Sequence, residues 1–240
     1  MEEMNELTAL RAVLNRPIPS PQGSLSQRQA AIVEPAESVV ARNMDRWFHN
    51  PWTMIEDGVI YTLDQADMLN PIKRFPPNPW GQQIAYEWLT HKKLLEFKSR
   101  RQMQSWLFLF LHLHLAMFNE GASIYVVSQK EEKSDELLTR AEFMYKYIPD
   151  NVMLKPKMKR TYGWLEFLGL DSFMHGVAMG ADQLRQYTAT ALFFDEFAFW
   201  EKARETYMAS IPTIQGGGRV TIISSPMAGF FKDLCFDQMK

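Results

Sequence analysis

Two adjacent acids, Asp195 and Glu196, follow directly on the apolar run Ala191-Leu192-Phe193-Phe194. A short apolar run bounded by polar residues reads as a buried strand. In a parallel sheet, the carboxyl ends of the strands are where ligands bind. At such an edge Asp195 can hold Mg²⁺, directly or through water, and Glu196 can orient and deprotonate an attacking water. Mg²⁺ takes few protein carboxylates and completes its shell with waters and phosphate oxygens, so one Asp suffices. An Asp-Glu pair is common, and alone it reads equally well as a solvated acidic turn.

A second group of residues adds to this chemistry. Lys98-Ser99-Arg100-Arg101-Gln102-Met103-Gln104-Ser105 lies between a strand candidate at 94–97 and a helix candidate at 106–118. That is the place of a phosphate-binding loop, whose backbone N–H groups cradle phosphates at a helix N-terminus. A lysine of such a loop reaches the β- and γ-phosphates, and a hydroxyl reaches the metal. Ser105 supplies the hydroxyl. Gln104 stands where the lysine usually comes, late in the loop, and Lys98 at its start can swing an ammonium into the same region. Alone, the segment reads better as a basic turn.

The third group is Val220-Thr221-Ile222-Ile223-Ser224-Ser225-Pro226, a β-branched strand that ends in small hydroxyl residues. Placed beside the strand of acids, Ser224 and Ser225 can sense a γ-phosphate and pass the change on. The order of the three groups is much rarer than any one of them.

These residues need a scaffold, and the rest of the chain supplies one. It has 240 residues, 46% hydrophobic and 22% charged, enough for a sizeable core and incompatible with disorder throughout. The formal net charge of -2 does not announce a nucleic-acid coat, although Lys and Arg cluster at 92–93, 98–101 and 155–160. One cysteine, Cys235, excludes an internal disulfide and suits a reducing compartment. The N-terminus lacks the basic and apolar regions of a signal peptide, and the apolar segment 106–118 is too short to span a bilayer.

Strands are expected at 94–97, 123–128, 190–194 and 220–224, and helices at 82–89, 106–118, 130–147 and 197–209. Short strands and turns are expected through 151–182, and a short helix near 5–14 ahead of a Pro-rich arm. On the helix at 82–89, Ile84, Trp88 and Leu89 should face the core. Strands alternating with helices indicate an α/β domain with a mostly parallel sheet. His112 and His114 lack i,i+4 spacing and read as partly buried structural histidines.

Together these residues resemble the large terminase subunit of tailed bacteriophages, from about Pro79 to Gly229. In that family the phosphate loop often carries its lysine at the front, as Lys98-Ser99-Arg100 with Ser105 does here. FFDEFAFW resembles its Walker B segment, and Ser224-Ser225-Pro226 followed by Gly229 resembles its coupling motif. The resemblance implies an ASCE-type P-loop NTPase core at 61–240 flanked by helices, with an N-terminal arm or lid at 1–60. It implies a Mg²⁺-dependent ATPase that drives double-stranded DNA into a procapsid in the host cytoplasm. Its partners would be the small terminase subunit, the portal protein and further copies of itself in a ring, with no membrane.

Further roles follow only from the resemblance. Gln82 or Gln83 is placed to contact adenine, with Gln82 preferred. Residues 98–105 hold the nucleotide, Ser105 and Asp195 the metal, and Glu196 activates water. Arg185 stands ahead of the strand of acids, where the family often has an arginine that acts on a neighbour's ATP, and Arg100 could serve within the subunit. Met103 departs from the family's usual glycine and suggests a more open loop. The family's nuclease domain would follow this region, and no cluster of metal-binding acids precedes Lys240, so this chain is expected not to cut DNA. Two other readings stay open: a helicase-like DNA translocase, and a catalytically weak P-loop module that binds DNA or acts as a scaffold.

Overall fold

The run of acids and the basic loop are brought together by one seven-stranded sheet. A computed structural model of the chain describes residues 36–99, 102–150, 153, 155–180, 184 and 187–236. The helix expected near 5–14 lies outside the described residues, as do Arg100, Arg101 and Arg185.

Chain order is α1 (Ala36–His49), α2 (Trp52–Glu56), β1 (Tyr61–Leu63), β2 (Ile72–Arg74), α3 (Pro79–Thr90), β3 (Lys93–Phe97) and α4 (Gln104–Phe118). There follow β4 (Ser123–Ser128), α5 (Glu131–Tyr147), β5 (Lys157–Thr161), β6 (Trp164–Leu168), β7 (Ser172–Ala178) and β8 (Ala191–Asp195). A 3₁₀ turn (Phe197–Phe199), α6 (Ala203–Thr213), β9 (Arg219–Ser224) and α7 (Phe230–Cys235) complete the described elements.

The sheet runs β3-β9-β8-β4-β7-β6-β5. Its strands are parallel from β3 to β7, and β6 and β5 extend it antiparallel. One strand, β9, therefore stands between the strand that leads into the basic loop and the strand that ends in the acids. The mostly parallel α/β sheet flanked by helices is the architecture expected of the sequence.

Burial on both faces explains why the central strands are apolar throughout. Side chains alternate across a strand, and parallel strands covered on both sides lose the polar alternation of exposed sheets. Phe193, Ile124, Val126 and Ile223 enter one core cluster, while Leu192, Phe194, Tyr125, Val127 and Ile222 enter the other. Helix α4 is apolar nearly all round and buried along most of its length, as a central helix must be. Trp47, Trp52, Met54 and Ile55 join α4 in the first cluster, so residues preceding β1 contribute to the core.

Several local expectations change. The helix at 82–89 extends over Pro79–Thr90, with Asn78 accepting from the Gly81 N–H at 2.8 Å and Pro at its start. On it Leu89 faces solvent, and Ala85 with Trp88 fills the inner side. The single helix expected at 197–209 is broken at Trp200–Lys202. Trp200 turns inward, where its Nε1–H donates to the Asp195 carbonyl at 3.1 Å and its ring packs on Phe194 and Phe197. The β1–β2 hairpin was not anticipated. His112 and His114 are more deeply buried than expected.

Candidate functional site

All five parallel strands point the same way, so β3, β9, β8 and β4 deliver Lys98, Ser224, Asp195 and Ser128 to one edge of the sheet. Register sets the neighbours: Phe97 lies opposite Ser224, and Ile223 opposite Asp195. The Lys98 backbone N–H then donates to the Ser224 carbonyl at 2.9 Å, fastening the start of the loop to the end of β9. The Ser224 hydroxyl accepts from the Ala198 N–H at 3.0 Å, just past the acids.

The Lys98 side chain is buried, and its ammonium is the centre of the site. Lys98 Nζ lies 2.8 Å from Ser105 Oγ, 2.5 Å from Asp195 Oδ1 and 2.9 Å from Glu196 Oε1. Asp195 Oδ1 also accepts from Ser105 Oγ at 3.3 Å and from the Glu196 N–H at 2.9 Å. Two carboxylates surround one ammonium, so the cluster is net negative. Burying such charges costs desolvation, and that makes the arrangement a weak device for stability.

Two residues bend the backbone here into the left-handed region that favours glycine. Glu196 has φ 56° and ψ 36°, and Met103 has φ 57° and ψ 14°. For a residue with a Cβ this conformation costs roughly 1–2 kcal/mol. At Glu196 the bend ends β8 and leaves Oε2 buried with no hydrogen-bond partner among the described residues. Such an acceptor is suited to a water that must lose a proton. At Met103 the bend starts α4, whose first turn presents unpaired N–H groups. The chain thus makes the glycine-like turn without the glycine.

A cavity of about 290 Å³ opens at this edge, lined by the loop residues Lys98, Ser99 and 102–105 together with Trp106, Arg140, Glu196 and Ser225. The Ser99 N–H faces Gln102 Oε1 at 3.4 Å across the loop. Gln104, in the place of the usual lysine, is buried, and its amide sits by Gln102 and Glu96. Burial pushes the Glu96 carboxyl above its usual range, an effect that hydrogen bonding from Gln104 partly offsets. Gln82 and Gln83 do not line the cavity; they are exposed and bond to Glu56 at 3.4 Å and Glu87 at 2.6 Å.

The donor set fits a small hard cation. Ser105 Oγ and Asp195 Oδ1 are oxygens 3.3 Å apart on adjoining elements, and the Lys98 ammonium already bridges them as a positive charge. Two protein oxygens leave room for the waters and phosphate oxygens that Mg²⁺ prefers. Among the described residues no group of three or more His, Cys, Asp or Glu gathers to hold a metal, here or elsewhere.

Trp106 and Arg140 escaped the sequence reading. Trp106 opens the apolar helix expected at 106–118 and Arg140 lies in the helix expected at 130–147, and neither stands out by residue type. The available signal was spacing: Lys133, Leu137 and Arg140 fall at i, i+4 and i+7, on one side of α5.

No protein-family profile and no characterised protein sequence matches this chain. Solved structures do. The chain is similar to the large terminase of bacteriophage HK97, with a TM-score of 0.59 at 11% identity over 79% of this chain and 41% of that one. It is also similar to the large terminase ATPase domain of Thermus phage P74-26, with a TM-score of 0.50 at 15% identity over 65% of this chain and 68% of that one. The chain thus spans about two-fifths of the HK97 protein. At these identities the likeness is one of fold.

Proposed function

We propose that this chain is the ATP-hydrolysing motor domain of a viral DNA-packaging terminase. One observation carries the reading: the ammonium of Lys98, at the front of a strand-to-helix loop, touches Ser105, Asp195 and Glu196 together. A phosphate-binding lysine, a metal-binding hydroxyl and carboxylate, and a carboxylate base are the parts phosphoryl transfer requires. The fold shared with large terminase ATPase domains supports the same reading.

In this reading the triphosphate enters the cavity at the start of α4. Lys98 leaves the carboxylates and pairs with β- and γ-phosphate oxygens. Mg²⁺ held by Ser105 and Asp195 would neutralise phosphate charge. Glu196 orients a water and takes its proton at Oε2 as the water oxygen bonds to the γ-phosphorus and the bond to the ADP oxygen breaks. Ser224 holds the loop through its carbonyl and the segment after the acids through its hydroxyl, so it senses both. Ser225, at the cavity wall, is the nearer of the two to the phosphates' space. The work is translocation of double-stranded DNA into a procapsid in the host cytoplasm. The partners are a small terminase subunit, a portal protein and further copies of the chain in a ring. No helix among the described residues is long and apolar enough to cross a membrane.

The test is steady-state ATP hydrolysis at high protein concentration with Mg²⁺, comparing the parent with Glu196→Gln and Lys98→Ala. The proposal expects turnover by the parent and loss in both variants, with nucleotide still bound by Glu196→Gln. A parent that neither hydrolyses nor binds nucleotide would sink it.

A further inference from the structure

We propose that Arg140 is a second phosphate-contacting cation, whose guanidinium engages the terminal phosphate of a nucleoside triphosphate bound to the same chain. The inference rests on the nucleotide reading above and adds a residue to it.

Position is the first argument. Two cavities meet at the cluster of acids, one of about 290 Å³ on the loop side and one of about 250 Å³ towards β4 and α5. Ser105, Glu196 and Arg140 are the residues that line both. A hydroxyl, a carboxylate and a guanidinium therefore stand together at the border of both cavities. That is where the end of a triphosphate would lie.

Charge is the second argument. Lys98 is already matched by Asp195 and Glu196, so the central cluster carries net negative charge and does not by itself attract a polyanion. Among the described residues, Arg140 is a further cation lining both cavities. The three acids nearest to it in sequence on its own helix are engaged elsewhere: Glu136 with Lys133 at 2.8 Å, Glu142 with Lys146 at 2.5 Å, and Asp135 with Arg160 at 2.7 Å. Among the described residues Arg140 has no carboxylate partner. Its guanidinium instead lies over the Trp106 ring, 5.7 Å from the centroid. Trp106 directly follows Ser105 in the first turn of α4. Stacking on an aromatic face holds a guanidinium in place while leaving its N–H fork open for phosphate oxygens.

The competing account makes Arg140 a fastener of α5 to α4 through Trp106 and nothing more. The two accounts differ in what they say about the third phosphate. A fastener acts on ADP and ATP alike, whereas a γ-phosphate contact acts on the triphosphate alone.

The experiment is calorimetric titration of the 240-residue chain with MgADP and with the Mg²⁺ complex of a non-hydrolysable ATP analogue. Parent, Arg140→Ala and Arg140→Lys are compared, with thermal unfolding of each free protein alongside. Losing a charge-assisted phosphate contact should weaken the analogue about 10- to 100-fold in Arg140→Ala while leaving MgADP within about threefold. Arg140→Lys, which keeps the charge and loses the fork, should fall between. Equal weakening of both nucleotides, or no change in either, overturns the proposal. If the parent binds neither nucleotide, the nucleotide reading fails and this inference fails with it. If the parent binds both and the variants match it, only the role of Arg140 is lost.

Discussion

Lys98 and Ser224 are joined through the backbone: the N–H of the loop's first residue donates to the carbonyl of the last residue of β9 at 2.9 Å. The Ser224 hydroxyl meanwhile accepts from Ala198, so one residue ties the loop to the segment after the acids. Ser224→Ala keeps the first bond and removes the second, leaving a half-buried N–H unpaired. The expected cost is about 1–2 kcal/mol of stability, read from urea unfolding. If the bond also transmits the nucleotide state, hydrolysis should fall more than nucleotide affinity does. Equal losses in both would reduce Ser224 to a structural clip.

Met103 occupies a left-handed position, and two substitutions separate backbone strain from packing. Met103→Ala and Met103→Gly both remove the side chain, which packs against the main core. Only Gly also removes the Cβ that the left-handed backbone disfavours. The Gly variant should therefore be more stable than the Ala variant by about 1 kcal/mol, after allowance for the greater flexibility of Gly when unfolded. Equilibrium unfolding of the pair measures this. A more stable Ala variant would mean that the turn at Met103 does not persist in solution.

What the sequence disclosed and what it withheld have a common physical basis. Strands such as Ser123–Ser128 and Arg219–Ser224 were legible because burial on both faces forces a β-branched, apolar run. The site's acids and front lysine were legible because strand ends in a parallel sheet converge. The break at Trp200 was not, because it depends on a bond from the indole to the Asp195 carbonyl that no local pattern encodes. The outward turn of Leu89 was missed for the same kind of reason. Helix α3 buries a narrow stripe through Ala85 and Trp88, and Trp88 is fixed by a bond from its Nε1–H to Thr221 Oγ1 at 3.0 Å. Arg140 did not stand out because the ring it lies over, Trp106, is two elements away in the chain.

Glu96 lies under the loop on β3, where burial raises its carboxyl above the usual value of 4.5. A raised carboxyl favours the folded state only while protonated. Its contribution is fully present below the unfolded value and is lost as pH rises through the folded one. Above the folded value burial of the Glu96 carboxyl therefore weighs against folding. Glu96→Gln should raise the melting temperature at pH 7.5, keep an acceptor oxygen for the Gln104 amide, and give no advantage near pH 3.5. Calorimetric melting at the two pH values checks this. A variant less stable than the parent at pH 7.5 would show that the charge is satisfied in a way the geometry does not reveal.

Acid should loosen the core through α4. Burial pushes His112 down to about 3 and His114 down to about 4. Both are neutral donors: His114 Nε2 lies 2.6 Å from the Trp47 carbonyl and His112 Nδ1 lies 2.7 Å from the Phe108 carbonyl, and a carbonyl can only accept. The Trp47 carbonyl is in the last turn of α1, where no helical N–H remains to satisfy it, so His114 also fastens α1 to α4. As pH falls below the unfolded value of 6.5, the unfolded chain binds protons that the folded chain refuses. The contribution is present above that value and lost towards the folded values. For the two groups together the loss is about 2–3 kcal/mol per pH unit once both titrate fully in the unfolded chain. In His112→Asn/His114→Gln each amide N–H takes the place of the ring donor and neither side chain titrates. That double variant should be less stable at pH 7, where packing on Phe193 and Phe118 is lost, yet lose stability between pH 6 and 4 far more gently than the parent. Urea unfolding across that range measures the slope directly, and an unchanged slope would place the acid sensitivity elsewhere in the chain.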